Sequence, residues 1–202
     1  MELMTSEECH DVAEAYYEAR QWPQACEAYE AGLKLDAGKP SAGYWLYSMG
    51  YCYKQMKQLK EAEDCFKRGI AANPAYSLNY EELTRLYSFQ LRYAEAVEMA
   101  EEANRLNPDS PDVLRPLAIA YDGVGRNEEA CAIGKQVIHL EPDKSSNYVN
   151  LGISLAILDR NTPALENFQK AVSIDPSYAR ARYNLGGHYL SFLEVGFRAF
   201  RA

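Results

Sequence analysis

One column of alanines restricts this chain more than any other feature. Ala25, Ala62, Ala96, Ala130 and Ala164 are separated by 37, 34, 34 and 34 residues. Twelve residues after each stands Ala37, Pro74, Pro108, Pro142 or Pro176, and nine residues before each stands Tyr16, Tyr53, Tyr87, Tyr121 or Leu155. Tyr189 continues the tyrosine column. A column of small residues (Ala13, Gly50, Thr84, Ala118, Gly152, Gly186) and one of large apolar residues (Val12, Met49, Leu83, Leu117, Leu151, Leu185) keep the same step. Self-similarity at a fixed period of this size marks a chain built from stacked repeats, and it limits the fold before any single segment is considered.

Each period holds two amphipathic stretches of about a dozen residues, with apolar residues three and four apart, which predicts a pair of helices. The small residues let the two helices approach closely, and rings such as Tyr53 and Phe66 fill the space beside them. Proline follows Asn73, Asn107, Glu141 and Asp175, where it stops the second helix of a pair and turns the chain. Thr5 and Glu8 have the spacing of a capping box for the first helix, and Trp22-Pro23 and Thr162-Pro163 place proline at a helix start. The predicted repeat windows are 6–39, 43–76, 77–110, 111–144 and 145–178, with a partial sixth at 179–192 and a tail at 193–202. A single repeat cannot bury its own apolar face, so 1–202 is expected to form one domain of stacked, all-α repeats without a β-sheet.

The column order of large apolar, small, Tyr, Ala, aromatic, small, Pro resembles the tetratricopeptide repeat. The fifth window states it with Tyr148, Leu151, Gly152, Leu155, Ala164, Phe168, Ala171 and Pro176, and the second with Leu46, Met49, Gly50, Tyr53, Ala62, Phe66, Gly69 and Pro74. The resemblance implies a right-handed α-solenoid of five 34-residue helix-turn-helix repeats plus a partial sixth. It also implies a concave groove, lined by the first helix of each repeat, that holds a peptide or partner helix.

Three places depart from the pattern. The aromatic column of Tyr29, Phe66 and Phe168 is broken by Ala100 and Gly134, which predicts looser packing there. Pro116 falls past the first turn of its helix and is expected to kink the helix or delay its start. The end of the chain carries Phe192, Phe197 and Phe200 where a polar capping helix is usual in such folds. Window 6–39 carries a net charge of −5 and 179–202 carries +3. Two outcomes are open: the chain is a segment cut from a longer protein, or the tail packs on its own last repeat or on a neighbouring copy, giving self-association.

No catalytic constellation is present. Asp122-Gly123-Val124-Gly125-Arg126 contains two glycines in a turn between helices, not the strand-to-helix loop that cradles phosphate. The pairs Glu81-Glu82, Glu101-Glu102 and Glu128-Glu129 are read as solvated helix surface. Cys9, Cys26, Cys52, Cys65 and Cys131 have irregular spacing without CxxC, and His10, His139 and His188 are scattered, so no metal or redox site is predicted. Buried, reduced thiols in a reducing cytoplasm are the better reading, and the N-terminus lacks the basic and apolar regions of a signal peptide. The chain is therefore read as a non-enzyme without a cofactor. Its net charge of −8 disfavours nucleic acid, and no apolar stretch is long enough for a membrane span.

Carrying the implied groove across by register selects His10, Asp11 and Glu14; Tyr44, Tyr47, Ser48 and Tyr51; Glu81, Glu82, Arg85 and Phe89; Arg115, Pro116 and Ile119; Val149, Asn150 and Ile153; and Arg180, Tyr183, Asn184 and Gly187. From these, Tyr47, Tyr51, Arg85, Arg115, Ile119, Asn150, Ile153, Arg180 and Asn184 are the candidate peptide-binding residues. Arg115, Asn150 and Arg180 partly match the clamp by which such repeats hold chaperone C-termini, but Ile119 and Asn184 depart from it. Asn150 and Asn184 are 34 residues apart and form two rungs of an asparagine ladder, whose amides can both donate to and accept from a peptide backbone. The expected role is a protein-interaction scaffold or adaptor binding a protein or peptide; the alternative is a regulatory segment of a larger enzyme or secretion or assembly complex.

Overall fold

The computed structural model describes residues 5–200, with side chains described through Tyr189. Among the described residues all regular structure is helical, in eleven helices. They are α1 (Ser6–Glu18), α2 (Trp22–Leu35), α3 (Ala42–Gln55), α4 (Leu59–Ala72), α5 (Ser77–Phe89), α6 (Tyr93–Leu106), α7 (Pro111–Gly123), α8 (Asn127–Leu140), α9 (Ser145–Ile157), α10 (Asn161–Ile174) and α11 (Ala179–Phe200). They fall into two compact units, residues 1–108 and 109–202. Within each unit every helix packs on the next one in sequence. No described helix is long and apolar enough to cross a membrane. The tail at 193–202, on which the self-association expectation rests, lies outside the residues whose side chains are described.

The alanine column is fully buried in both units. Ala25, Ala62, Ala96, Ala130 and Ala164 are each 0% exposed. The small and aromatic columns fit one another physically. A Cβ on Gly50 would lie 2.5 Å from the Phe66 ring, and a Cβ on Gly152 would lie 2.5 Å from the Phe168 ring. Where the ring is missing, the partner column changes too. Thr84 stands opposite Ala100 in register and both are buried, while Gly134 is buried with Leu151 only 3.2 Å from where its Cβ would be.

The helix ends follow from sequence. Thr5 Oγ1 accepts from the Glu8 amide at 3.2 Å, and the Thr5 amide donates to Glu8 Oε2 at 2.7 Å, completing the capping box. Asn73, Asn107, Glu141 and Asp175 adopt non-helical backbone before their prolines, as the clash of proline with the preceding residue requires. Each odd helix from α1 to α9 ends in a left-handed residue, namely Arg20, Lys57, Leu91, Gly125 and Asp159. The amide after it donates back to the carbonyl of the tyrosine column, as in Arg92 N–H to Tyr87 O at 2.8 Å and Arg126 N–H to Tyr121 O at 2.8 Å. This is the two-bond helix end that satisfies orphaned carbonyls. Gly125 therefore serves a turn, as its sequence context indicates. Pro116 does not delay its helix: α7 begins at Pro111 and contains it, so its structural cost is one missing intrahelical hydrogen bond.

Asp36 anchors the first unit from the position that Asn73, Asn107, Glu141 and Asp175 hold in the later windows. Its carboxylate accepts from Lys39 Nζ (2.7 Å), Ser6 Oγ (2.9 Å) and Trp45 Nε1 (3.0 Å), tying the start of α1 to α3. These donors, the Lys39 ammonium first, hold its carboxyl well below the usual carboxylate range.

Candidate functional site

In the first unit, side chains from the odd helices meet one another. Tyr47 of α3 packs edge-on to Tyr76 (5.8 Å between centroids) and beside Tyr51 (6.5 Å), and Tyr51 meets Tyr17 of α1 at 5.7 Å. The Lys54 ammonium sits 4.5 Å from the Tyr51 ring centroid and pairs with Glu82 of α5. Arg85 closes the series, donating to Glu82 at 2.7 Å and reaching Glu81 at 3.4 Å. Tyr47, Tyr51 and Arg85 of the sequence-derived set are therefore brought together, through Lys54 and Glu82. Tyr17, Lys54 and Tyr76 join them here, although the register does not select them.

Glu81 and Glu82 differ from the expectation. Each is only 5% exposed, so they are not solvated surface. Two adjacent carboxylates tolerate that burial because Arg85 lies one turn on and Lys54 reaches across from α3. Ser48 is likewise buried.

At the α1 end, Tyr44 hydroxyl donates to Glu14 Oε1 at 2.8 Å and meets His10 Nε2 at 3.0 Å, while Tyr29 hydroxyl donates to the same Glu14 oxygen at 2.7 Å. A hydroxyl has one proton to give, so Tyr44 accepts from an Nε2–H of His10. Burial is the leading reason that the Tyr17, Tyr44 and Tyr47 phenols are raised, Tyr17 to about 12. These rings are neutral in any physiological buffer.

In the second unit, Arg115 is largely covered and pairs with Glu141 and Asp112, while Ile119 remains exposed. Val149 is a correction: it is 0% exposed and packs in the core with Ala171 and Ala181, so it does not line a groove. Asn150 is half-buried, and its carbonyl accepts from Ser154 Oγ at 3.2 Å. Arg180 is exposed, and its carbonyl accepts the Asn184 amide at 2.7 Å. Ile153 and Asn184 share an open cavity of about 770 Å³, with Ile157, Phe168 and Tyr183 among its other walls. Ile153 and Asn184 are thus brought to one place; Arg115 and Ile119 lie on α7 and do not border it.

The described residues hold no group of three or more His, Cys, Asp or Glu placed to bind a metal. All five cysteines are free and buried, and burial pushes the Cys65 thiol up to about 12.

Comparison with known proteins agrees with this geometry. Residues 44–76 and 145–178 each match the tetratricopeptide repeat sequence model. A small glutamine-rich tetratricopeptide repeat-containing protein 2 from Mycosarcoma maydis is 34% identical over 85 residues, covering 42% of this chain and 24% of that protein. The peroxisomal targeting signal receptor of Eremothecium gossypii is 28% identical over 116 residues, covering 57% of this chain and 20% of that protein. The chain thus spans about a quarter or less of the length of these two relatives. Among solved structures, YrrB, described as a TPR protein with an unusual peptide-binding site, superposes with a TM-score of 0.75 at 22% identity, covering 85% of this chain and 87% of that one. Helix pairs, turn geometry, repeat columns and matched sequence windows agree: the chain carries tetratricopeptide repeats at residues 44–76 and 145–178.

Proposed function

We propose that this chain is a non-catalytic interaction scaffold whose odd-helix faces hold a peptide or partner segment. The observation that carries the reading is the meeting of half-buried tyrosines and charged side chains from α1, α3 and α5 in the first unit. Rings that are held in place yet part-open give contact area with little ordering cost on binding. Its relatives are consistent with such a role: one is a receptor for a targeting signal, and YrrB, a structural neighbour, is described as having a peptide-binding site. In the second unit, Asn150, Ile153 and Asn184 supply the corresponding polar and apolar contacts, with Arg115, Ile119 and Arg180 around them. We place the chain in a reducing compartment, the cytoplasm; its five free, buried thiols support this. Its acidic balance supports a protein rather than a nucleic-acid ligand.

Selection of a random peptide library on the full chain tests the role. The expected result is an enriched motif whose affinity falls by about 0.5–1.5 kcal/mol per lost hydrogen bond in Asn150→Ala and Asn184→Ala, and also falls in Tyr51→Ala, with melting temperatures near that of the parent. A library that yields no enriched sequence, or a motif bound equally by all three variants, would overturn the reading.

A further inference from the structure

Helix α1 carries Glu7, Glu8, Asp11, Glu14 and Glu18, and no Lys or Arg. One of these acids is set into the face of the first unit. Glu14 is half-buried, and both tyrosine hydroxyls that reach it land on the same oxygen, Oε1. Among the described residues no Lys or Arg pairs with it; the nearest basic group in its network is His10, connected only through the Tyr44 hydroxyl. A carboxylate partly withdrawn from water without a cation is costly, and neutral donors offset that cost only in part. Asp11 stands beside it on the same helix, mostly exposed, 3.8 Å from His10 Nδ1.

The tyrosines are the second half of the argument. Tyr76, Tyr47, Tyr51 and Tyr17 form an unbroken series of ring contacts running toward the acidic helix. The molecule already shows what such a surface accepts. Lys54 lies with its ammonium over the Tyr51 ring and its charge on Glu82, which combines the attraction of a ring face for a cation with an ion pair. Tyr17, next to Tyr51 and one turn from Glu14 on α1, repeats that pairing of ring and acid with no Lys or Arg of the described chain on it.

We propose that the face of α1, α3 and α5 binds a peptide segment bearing Lys or Arg side chains, with a cationic group over the tyrosine series and its charge met by Glu14 and Asp11. This rests on the reading of that face as a peptide-binding surface and specifies its ligand. An acidic segment would meet like charge along α1, so the same residues that attract one class reject the other.

The test uses the full chain and three labelled peptides that alternate alanine with Lys, Gln or Glu, read by fluorescence anisotropy. The Lys peptide is expected to bind about tenfold more tightly than the Gln peptide, equivalent to about 1.4 kcal/mol, and to weaken as salt is raised. Glu14→Gln keeps an oxygen for both tyrosine hydroxyls while removing the charge, and Asp11→Asn alters an exposed side chain outside the core. Each should weaken the Lys peptide several-fold, and the second holds the test open if the first perturbs folding. Equal or tighter binding of the Gln or Glu peptide, lost in Tyr51→Ala, would overturn the basic-ligand assignment and leave the binding face standing. Binding of the Lys peptide unchanged in both charge variants would overturn it as well. Absence of binding by all three peptides would overturn the assignment, and the library selection decides separately whether the face binds any peptide.

Discussion

The two units share a frame and differ in what they hang on it. Gly50 faces the Phe66 ring in the first unit as Gly152 faces the Phe168 ring in the second, with the same 2.5 Å approach for a hypothetical Cβ. Leu91 and Gly125 occupy the same left-handed turn position. Yet the first unit presents tyrosines and carboxylates from its odd helices, while the second presents Ile119, Ile153, Asn184 and an apolar cavity. Their acids also differ. Glu63 of the first unit is pulled down to about 2 by Arg92 and then Lys67, whereas burial raises Asp122 of the second despite a 2.6 Å hydrogen bond from Ser154. Repeat columns set backbone and core; the positions between them are free to give each unit its own chemistry.

The strongest way to break the equivalence of the two frames is to crowd both. Gly50→Ala and Gly152→Ala should each destabilise by about 1–3 kcal/mol through overpacking against a phenylalanine ring, outweighing the helix-propensity gain of roughly 1 kcal/mol that alanine brings. Denaturant titration checks this, and a large cost in one unit with none in the other would show that the shared geometry is not shared energetically.

The contrast between the acids is sharpened by pH. A carboxyl lowered in the folded state contributes stability that is present above its unfolded value and lost as pH falls. For Glu63 the window runs from about 4.5 down to about 2 and is worth roughly 1–2 kcal/mol. Asp122 has the opposite sign: its raised value makes its contribution complete below 3.8 and lost as pH rises through the folded value. Glu63→Gln should therefore flatten the acid limb of the stability–pH curve, and Asp122→Asn should steepen it. Thermal melts across that range measure both slopes; the same change of slope in the two variants would contradict the assignment.

The smallest expected effect lies in the turns. Leu91 is 71% exposed with φ 61°, so Leu91→Gly relieves a left-handed side chain while giving up little packing. It should stabilise by about 0.5–1 kcal/mol, and Gly125→Ala should destabilise by a similar amount. Melting temperatures moving in the same direction would show that these turns are not interchangeable.

The frame is legible in the sequence because its signals are local or periodic. The alanine column reports close helix approach wherever it recurs, proline reports a stop, and Thr5 with Glu8 reports a cap. The face is harder to read. Register places a residue on a helix face but gives no depth, which is why it assigns Val149 to a groove although the side chain lies in the core. The burial of Glu81 and Glu82 depends on Lys54, distant in sequence and matched to them only by packing of α3 on α5. Asp36 stands in the same column as Asn73, Asn107, Glu141 and Asp175, yet its role appears only when Ser6 and Trp45 arrive beside it. Tyr17 and Tyr76 are within reach of spacing alone, since each lies one helical turn or one loop from a residue that the register selects.

The glycine–phenylalanine pairs have a consequence for how this sequence can change. Enlarging Gly50 alone collides with a ring, and shrinking Phe66 alone leaves a void. Either first step goes downhill in stability, and only the second restores it, so the two positions are coupled in their effects. Thr84 with Ala100 and Ala118 with Gly134 are other divisions of residue size between the same two columns. Moving from one division to another requires paired substitutions, so at these sites the heritable unit of change is the pair of residues.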